Sequence, residues 1–293
     1  MRIIRNLKIY IPLFILLQCC SISTTSAQEP TELKVMSFNI RMNYTDDGPN
    51  NWEHRREWIA DMVNHYSPDI IGIQEGYYPQ YIDMVDMLSE YEGIGPKEGW
   101  QGAESVAIFY RKDHFHLLDS ATFWLSETPQ MQGPGWDAEL RRTAIWGAFQ
   151  DKITKQKFIF FSTHFDHKGD IARTESVKLL KRKIKEVAGS LPAIIVGDFN
   201  LRPESSYYSL LIKEEESLAT LYDAITNAHH TYGPDWTVNS FGGVPVEKRG
   251  KIDYIFTNQP LPVSHYVNIC EQRGDVFLSD HNPQLATFIV DWH

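Results

Sequence analysis

The sequence predicts one layered α/β domain over residues 28–293. Three observations lead there. Strand-like runs rich in Val, Ile, Phe and Tyr, bounded by Gly, Pro, Asn or Asp, recur from end to end. Segments of helical periodicity alternate with them. No internal repeat, low-complexity tract or interdomain linker divides the chain. Strands and helices intermixed in one continuous stretch bury their apolar faces in layers around a common core.

The elements follow in order. Run 33–40 opens the domain as a strand. Segment 53–66 places Trp58, Ile59, Met62, Val63 and Tyr66 on one helical stripe, and Pro68 ends it. Run 69–74 is the next strand. Helix 79–88 begins with Pro79 in its first turn, where a missing N–H costs little. Runs 105–110, 143–150 and 158–163 read as strands, with 151–157 a hairpin loop between the last two. Helix 171–188 carries Val177, Leu180, Ile184 and Val187 on one face and Gly189 as its stop. Lys178, Lys181 and Lys185 read as its solvated outer face. Runs 193–196, 252–256, 266–269 and 285–290 complete the strand set.

The first 27 residues stand apart. Arg2, Arg5 and Lys8 precede an apolar stretch, 9–17, that is too short to span a membrane as a helix. Thr25-Ser26-Ala27 supplies small residues for cleavage. The pattern predicts a signal peptide, 1–27, and export to a periplasmic or extracellular space. Lipid attachment at Cys19 or Cys20 ranks below this, because Gln18 is a poor match to the small residue such a site needs. Without Arg2, Arg5 and Lys8 the net charge of −10 becomes −13. That balance weighs against non-specific binding to duplex phosphates, although local charge and a bound metal can act against it. Cys270 is then the single cysteine. It excludes an intrachain disulfide and reads as a small buried hydrophobe.

Six polar motifs carry the chemistry: Ser37-Phe38-Asn39-Ile40, Ile73-Gln74-Glu75, Ser162-Thr163-His164-Phe165-Asp166-His167, Gly197-Asp198-Phe199-Asn200, Lys251-Ile252-Asp253-Tyr254 and Ser279-Asp280-His281-Asn282. Five of the six lie in or at the end of a buried-strand run. Buried carboxylates are costly unless paired or held on a metal, so the six places point to one convergent site. Asn39, Glu75 and Asp280 offer oxygen ligands. With cysteine nearly absent and no two histidines four apart, the set suits a hard cation, Mg²⁺ or Mn²⁺. Asp198 and Asn200 sit two apart and face the same side of an extended chain. Asp253 and His281 are candidates for a carboxylate–imidazole pair, and His164 adds a donor. Metal, base, amide and two histidines are what phosphate-ester hydrolysis needs.

In this motif order, over roughly residues 33–293, the chain resembles the endonuclease/exonuclease/phosphatase superfamily. Each motif alone is weak; the ordered set is specific. The resemblance implies a layered sandwich of two mixed β-sheets flanked by helices. It implies that Asn39, Glu75 and Asp280 belong to the metal site, and that His164 contacts phosphate. Asp198 then orients or deprotonates the attacking water, and Asn200 fixes nucleophile and phosphate. Asp253 partners His281, which acts on the phosphoryl oxygen. One departure is Arg41, where some apurinic-site enzymes of the family carry an acidic residue. A cation there cannot ligate a metal, so it pairs with a carboxylate or a substrate phosphate instead. No match is found to the further asparagines with which nuclease branches grip a DNA strand.

Arg142, Asp166 and His167 join Arg41 as candidate substrate contacts. Arg111, Arg141 and Arg173 serve equally well as phosphate contacts or structural ion pairs. Trp124, Trp136 and Trp146 read as core or rim, Trp100 and Trp236 as pocket rim. The expectation is an exported, divalent-metal-dependent phosphoesterase that hydrolyses a phosphomono- or diester by in-line water attack. Its substrate is a small molecule, a lipid headgroup or a nucleic acid, and no protein partner is implied. Two alternatives stay open: an extracellular nuclease, and an inactive binding protein of the same fold.

Overall fold

The structure is a computed structural model that describes residues 31–98 and 106–290. The expected signal peptide 1–27, Trp100 and the first residue of run 105–110 lie outside them. β1 (Thr31–Asn39) is buried from Val35 onward. It runs parallel to the wholly buried β2 (Ile70–Gln74) and antiparallel to β15 (Gln284–Val290). Strands buried on both faces read as continuous apolar runs, which is why these three were legible. α1 (Trp52–Tyr66) makes the crossover between β1 and β2.

The first sheet has seven strands, in the order β10 (Ala228–Tyr232), β12 (Val263–Asn268), β15, β1, β2, β4 (Ala107–Arg111) and β3 (Tyr91–Ile94). The second has six: β5 (Phe115–Trp124), β6 (Thr143–Asp151), β7 (Lys157–His164), β8 (Ala193–Asp198), β11 (Asp253–Thr257) and β9 (Tyr222–Asp223). Both are mixed. β1/β2 and β10/β12 are the parallel pairs of the first, β7/β8 that of the second. A small hairpin, β13 (Gln272–Arg273) with β14 (Val276–Phe277), stands apart.

The sheets pack face to face through Val35, Ile70, Ile108, Phe149, Phe160, Ile194, Val196, Ile255 and Phe288. Their approach is close at Gly72. A Cβ there would lie 2.2 Å from Val196 Cγ2, so any side chain would force the sheets apart. α1 and α2 (Tyr78–Met87) cover the outer face of the first sheet, with Ile59, Val63 and Met84 against Phe38, Ile73 and Phe109. α3 (Asp170–Ala188) and α4 (Ser206–Ile212) flank the second; Val177, Leu180 and Ile184 of α3 cover Phe161, Ile195 and Phe256. The result is the layered sandwich of two mixed sheets flanked by helices. Truncating a core ring such as Phe160 to Ala costs about 3–5 kcal/mol.

Two expectations are corrected. Lys181 is not on a solvated face: it is fully buried, and its Nζ donates to the carbonyls of Leu210 (3.2 Å) and Lys213 (2.6 Å), which satisfies the C-terminus of α4. Cys270 is exposed rather than buried, because β12 ends at Asn268 and the chain leaves the core after Ile269. Among the described residues no helix is long and apolar enough to cross a membrane.

Candidate active site

The register of the two sheets builds the site. In the second sheet His164, the last residue of β7, pairs with Asp198, the last of β8. On the other side of β8, Asp198 pairs with Asp253, the first residue of β11. Three polar residues from distant motifs thus lie in one row across adjacent strands. Asn39 ends β1 in the first sheet, and Glu75 follows the end of β2 beside it. His281 arrives through an isolated bridge to Val238.

The chain turns sharply at these strand ends. Arg41, Glu75 and Asn200 have φ of +60°, +58° and +51°, a region that disfavours side chains other than glycine. Each such residue costs about 1–3 kcal/mol and persists where its surroundings over-determine it. Here those surroundings are specific. Glu75 Oε2 accepts from Met42 N–H at 3.1 Å, and Asp198 Oδ1 accepts from Asn200 N–H at 3.0 Å. Gln80, fully buried, accepts from Asn43 N–H at 3.1 Å and donates to the Arg41 carbonyl at 2.8 Å.

Asn39 Nδ2 donates to Glu75 Oε1 (3.1 Å) and Asp198 Oδ2 (3.0 Å), and joins the two sheets across the site. Its Oδ1 accepts from Arg41 N–H at 3.1 Å. His281 Nδ1 sits 2.9 Å and 3.1 Å from the two oxygens of Asp253 and donates to that carboxylate, while its Nε2 lies 3.8 Å from Asp198 Oδ2. Thr237 donates its hydroxyl to Asp253 at 2.5 Å. Arg142 Nη1 lies 2.9 Å from His164 Nδ1 and 2.8 Å from Nε2, and Asn200 Nδ2 lies 3.2 Å from Nε2. Asn200 also donates to the Phe165 carbonyl at 2.9 Å.

Burial and charge set the protonation states. Burial, then the neighbouring Asp253 charge, pushes Asp198 up to about 7, against the pull of His281 and the Asn39 hydrogen bond. For His281 burial acts downward, but Asp253 and Asp198 hold it well above the ordinary imidazole range. Burial, and then the Arg142 charge, hold His164 well below that range, so it is a neutral ring beside a cation. The two histidines therefore differ in charge for stated reasons.

A cleft of about 340 Å³ opens over these groups. Arg41, Glu75, Arg142, His164, His167, Asp198, Asn200, Asp280 and His281 line it, with Tyr44, Thr45, Met42 and Leu140. Glu75, His164 and Asp198 offer ligand atoms within 4.8 Å of one another, as do Asp198, Asp253 and His281. Asp280 lies on the cleft wall outside both groups. It receives the Ser279 hydroxyl at 3.2 Å and faces Arg41 Nη1 at 3.6 Å. Three buried carboxylates in one place, with Asp280 beside them, fit a hard divalent cation.

Nine of the twelve sequence-assigned residues line the cleft, and Asn39 and Asp253 bond to the side chains of Glu75, Asp198 and His281, which do. Asp166 plays a different part. Its carboxylate accepts the main-chain N–H of Leu140 (3.2 Å), Lys168 (3.0 Å) and Gly169 (2.8 Å), so it organises the loop behind Arg142 and does not line the cleft. Arg41 pairs bidentately with Asp47, both contacts at 3.0 Å. The sequence did not reveal Thr237, Gln80 or Arg55. The last is fully buried and donates to the carbonyls of Asn50, Ile40 and Leu278, which ties the β1 end to the segment before Asp280. A buried arginine on carbonyls leaves no periodic signal.

Fold and site together define a two-sheet α/β sandwich with carboxylates, histidines and amides gathered at its strand ends. The profile of the Endonuclease/Exonuclease/phosphatase family matches residues 36–281, and the chain belongs to that family. A family member from Bacteroides vulgatus of solved structure is 39% identical, with a TM-score of 0.83; the match covers 89% of this chain and all of that one. The mannosyl-6-phosphatase of Bacteroides thetaiotaomicron is 34% identical, with a TM-score of 0.79, over 88% of this chain and all of that one. Nocturnin of Xenopus laevis is 24% identical over 264 residues, 81% of this chain and 65% of that protein. The chain thus spans just under two thirds of that curated relative.

Proposed function

We propose that the chain is an exported phosphoester hydrolase that works with Mg²⁺ or Mn²⁺ on a small phosphorylated molecule. The row formed by His164, Asp198 and Asp253, with His281 fastened to Asp253, carries this reading. Glu75 and Asp280 would hold the cation, with Asn39 bracing Glu75; the cation supplies charge neutralisation at the phosphoryl oxygens. Asp198 takes or orients the proton of the attacking water. A carboxylate raised toward neutrality is well matched to that task. Asp253 keeps His281 protonated and aimed, so that its Nε2–H faces developing negative charge. Arg142, through neutral His164, and Asn200 add donors on the same side.

Cleft size, the net charge of −10 and similarity to a mannosyl-6-phosphatase support a small substrate over a duplex. The basic start and small-residue site at Ala27 support export. The test is a panel with Mg²⁺: a sugar phosphate, an inositol phosphate, a phosphocholine lipid, a nucleotide and single- and double-stranded nucleic acid. Turnover of a small ester that stops with chelator supports the proposal. Turnover of nucleic acid alone replaces it with the nuclease reading. No turnover of anything leaves the inactive-binder reading.

A further inference from the structure

A second cavity of about 470 Å³ adjoins the cleft and shares Asn200 and His167 as walls. Its charge is one-sided. Arg173, Arg202, Lys248 and Arg249 line it, with Ser205 and Tyr207, and no lining residue is acidic. In a chain of net charge −10 this concentration of cations is the reverse of the average surface.

The three arginines are held in place. Arg249 stacks on Trp236 at 4.3 Å and donates to the Val244 carbonyl at 2.9 Å. Arg202 lies flat on Gly250, where a Cβ would approach its Cζ to 2.7 Å, and donates to the Lys248 carbonyl at 3.4 Å. Among the described residues neither arginine has a carboxylate partner, whereas Arg173 is paired with Asp170 and stacked on Tyr207 at 4.7 Å. The cavity floor is joined to the catalytic row. Thr237 and Val238 donate to the Gly250 carbonyl, Val238 bridges His281, and Phe199 donates to the Ile252 carbonyl. A planar guanidinium fixed by stacking loses little freedom when it takes up an anion.

We propose that this cavity is a second anion subsite, and that the substrate carries a further phosphate or carboxylate besides the scissile phosphate. The inference rests on the phosphoesterase reading. With the scissile group on the catalytic side of Asn200, the second anion crosses to Arg202, Lys248 and Arg249. These residues bind and position; they do not touch the reacting atoms.

Glycerol phosphate, phosphoglycerate and glycerol bisphosphate separate the cases, with no, a carboxylate and a phosphate second anion. Each is assayed with Mg²⁺ on the wild type and on the double variant Arg202→Gln/Lys248→Gln, both exposed positions outside the catalytic machinery. Exposed charge contacts are each worth up to about fivefold in affinity. The expected result is a KM about tenfold or more lower for one or both of the doubly anionic esters than for glycerol phosphate. The double variant abolishes that advantage and leaves kcat and the glycerol phosphate KM unchanged. Which ester gains identifies the second anion. Equal KM values for all three, or an equal rise for all three in the variant, overturn the subsite. If the wild type hydrolyses none of them, the wider substrate panel decides the phosphoesterase reading and binding decides the subsite. Calorimetric binding of phosphoglycerate and glycerol bisphosphate then decides the subsite: tighter binding of either to the wild type than to the variant supports it, and equal or absent binding of both overturns it.

Discussion

Asp253→Asn isolates the carboxylate that stands behind His281. The substitution keeps shape and volume. It exchanges one acceptor oxygen for an amide, so the Thr237 hydroxyl loses its charged partner, at about 1 kcal/mol. The larger effect is electrostatic. His281 Nδ1 is 2.9 Å from the Asp253 carboxylate. A unit charge pair near 4 Å at an effective dielectric of about 20 is worth about 4 kcal/mol, and about 1.4 kcal/mol shifts a proton equilibrium tenfold. Removing the charge therefore weakens proton binding by His281 roughly 10²–10³-fold. Burial, which already acts downward, then dominates, and the ring is neutral at neutral pH. Asp253 raises Asp198 and the His281 charge lowers it, so the loss of both charges largely cancels at the base. The alkaline limb of the pH–rate profile, which His281 sets, therefore shifts acidward. kcat at neutral pH falls about 100-fold and partly recovers on acidification. The assay is kcat against pH, in saturating Mg²⁺, on the best ester of the panel, with a melting curve to confirm that the variant folds. An unmoved alkaline limb, with kcat within a few fold of wild type, would refute the role given to the His281 charge.

Four further outcomes follow, three from the same site and one from the N-terminal sequence. Asp198→Asn lowers kcat by about 10³–10⁴ with little change in KM, and a variant with near-normal kcat places the base elsewhere. Chelation abolishes turnover and Mg²⁺ or Mn²⁺ restores it, while Glu75→Gln weakens cation affinity, measured by calorimetry, without unfolding the chain. In the metal-free protein the raised values of Asp198 and His281 mean that the folded state binds protons more tightly than the unfolded state. The stabilisation from Asp198 is full below its unfolded value and lost as pH rises through about 7; that from His281 is lost on rising through its own elevated value. Melting temperature without metal therefore falls from about pH 6 to pH 8, and Mg²⁺ raises it more at the higher pH; a flat profile contradicts the assignment. Mass spectrometry of the exported protein finds a chain beginning at Gln28, whereas an acylated Cys19 or Cys20 shows lipid attachment instead.

Strands at the centre of the sandwich were legible because burial on both faces demands continuous apolar runs, as in β2 and β8, whose residues are all buried. β5 was missed for the opposite reason. It is an edge strand, mostly solvent-facing, with a bulge between Leu117 and Asp119 that breaks its alternation. β10, exposed along nearly its whole length, the two-turn helix α4 and the two-residue strand β9 leave equally little periodic trace. Lys181 read as a surface lysine because helical spacing gives the direction of a side chain but not what stands opposite it, here the carbonyl end of α4.

The site divides along the same line. The sequence by itself singled out the polar residues that meet at the cleft, because a carboxylate or imidazole inside a buried run is too costly to be accidental. It also determined the pairing of Asp253 with His281 as an expectation of chemical type. Only the tertiary structure decided their geometry: strand register set His164, Asp198 and Asp253 abreast, and the close sheet approach brought Asn39 and Glu75 to them. It also decided that one histidine is charged and the other neutral, that Asp166 braces a loop, and that four cations from three separate segments face one cavity. Those properties depend on which groups lie within a few ångströms of each other, and residues far apart in the chain acquire such neighbours only when it folds.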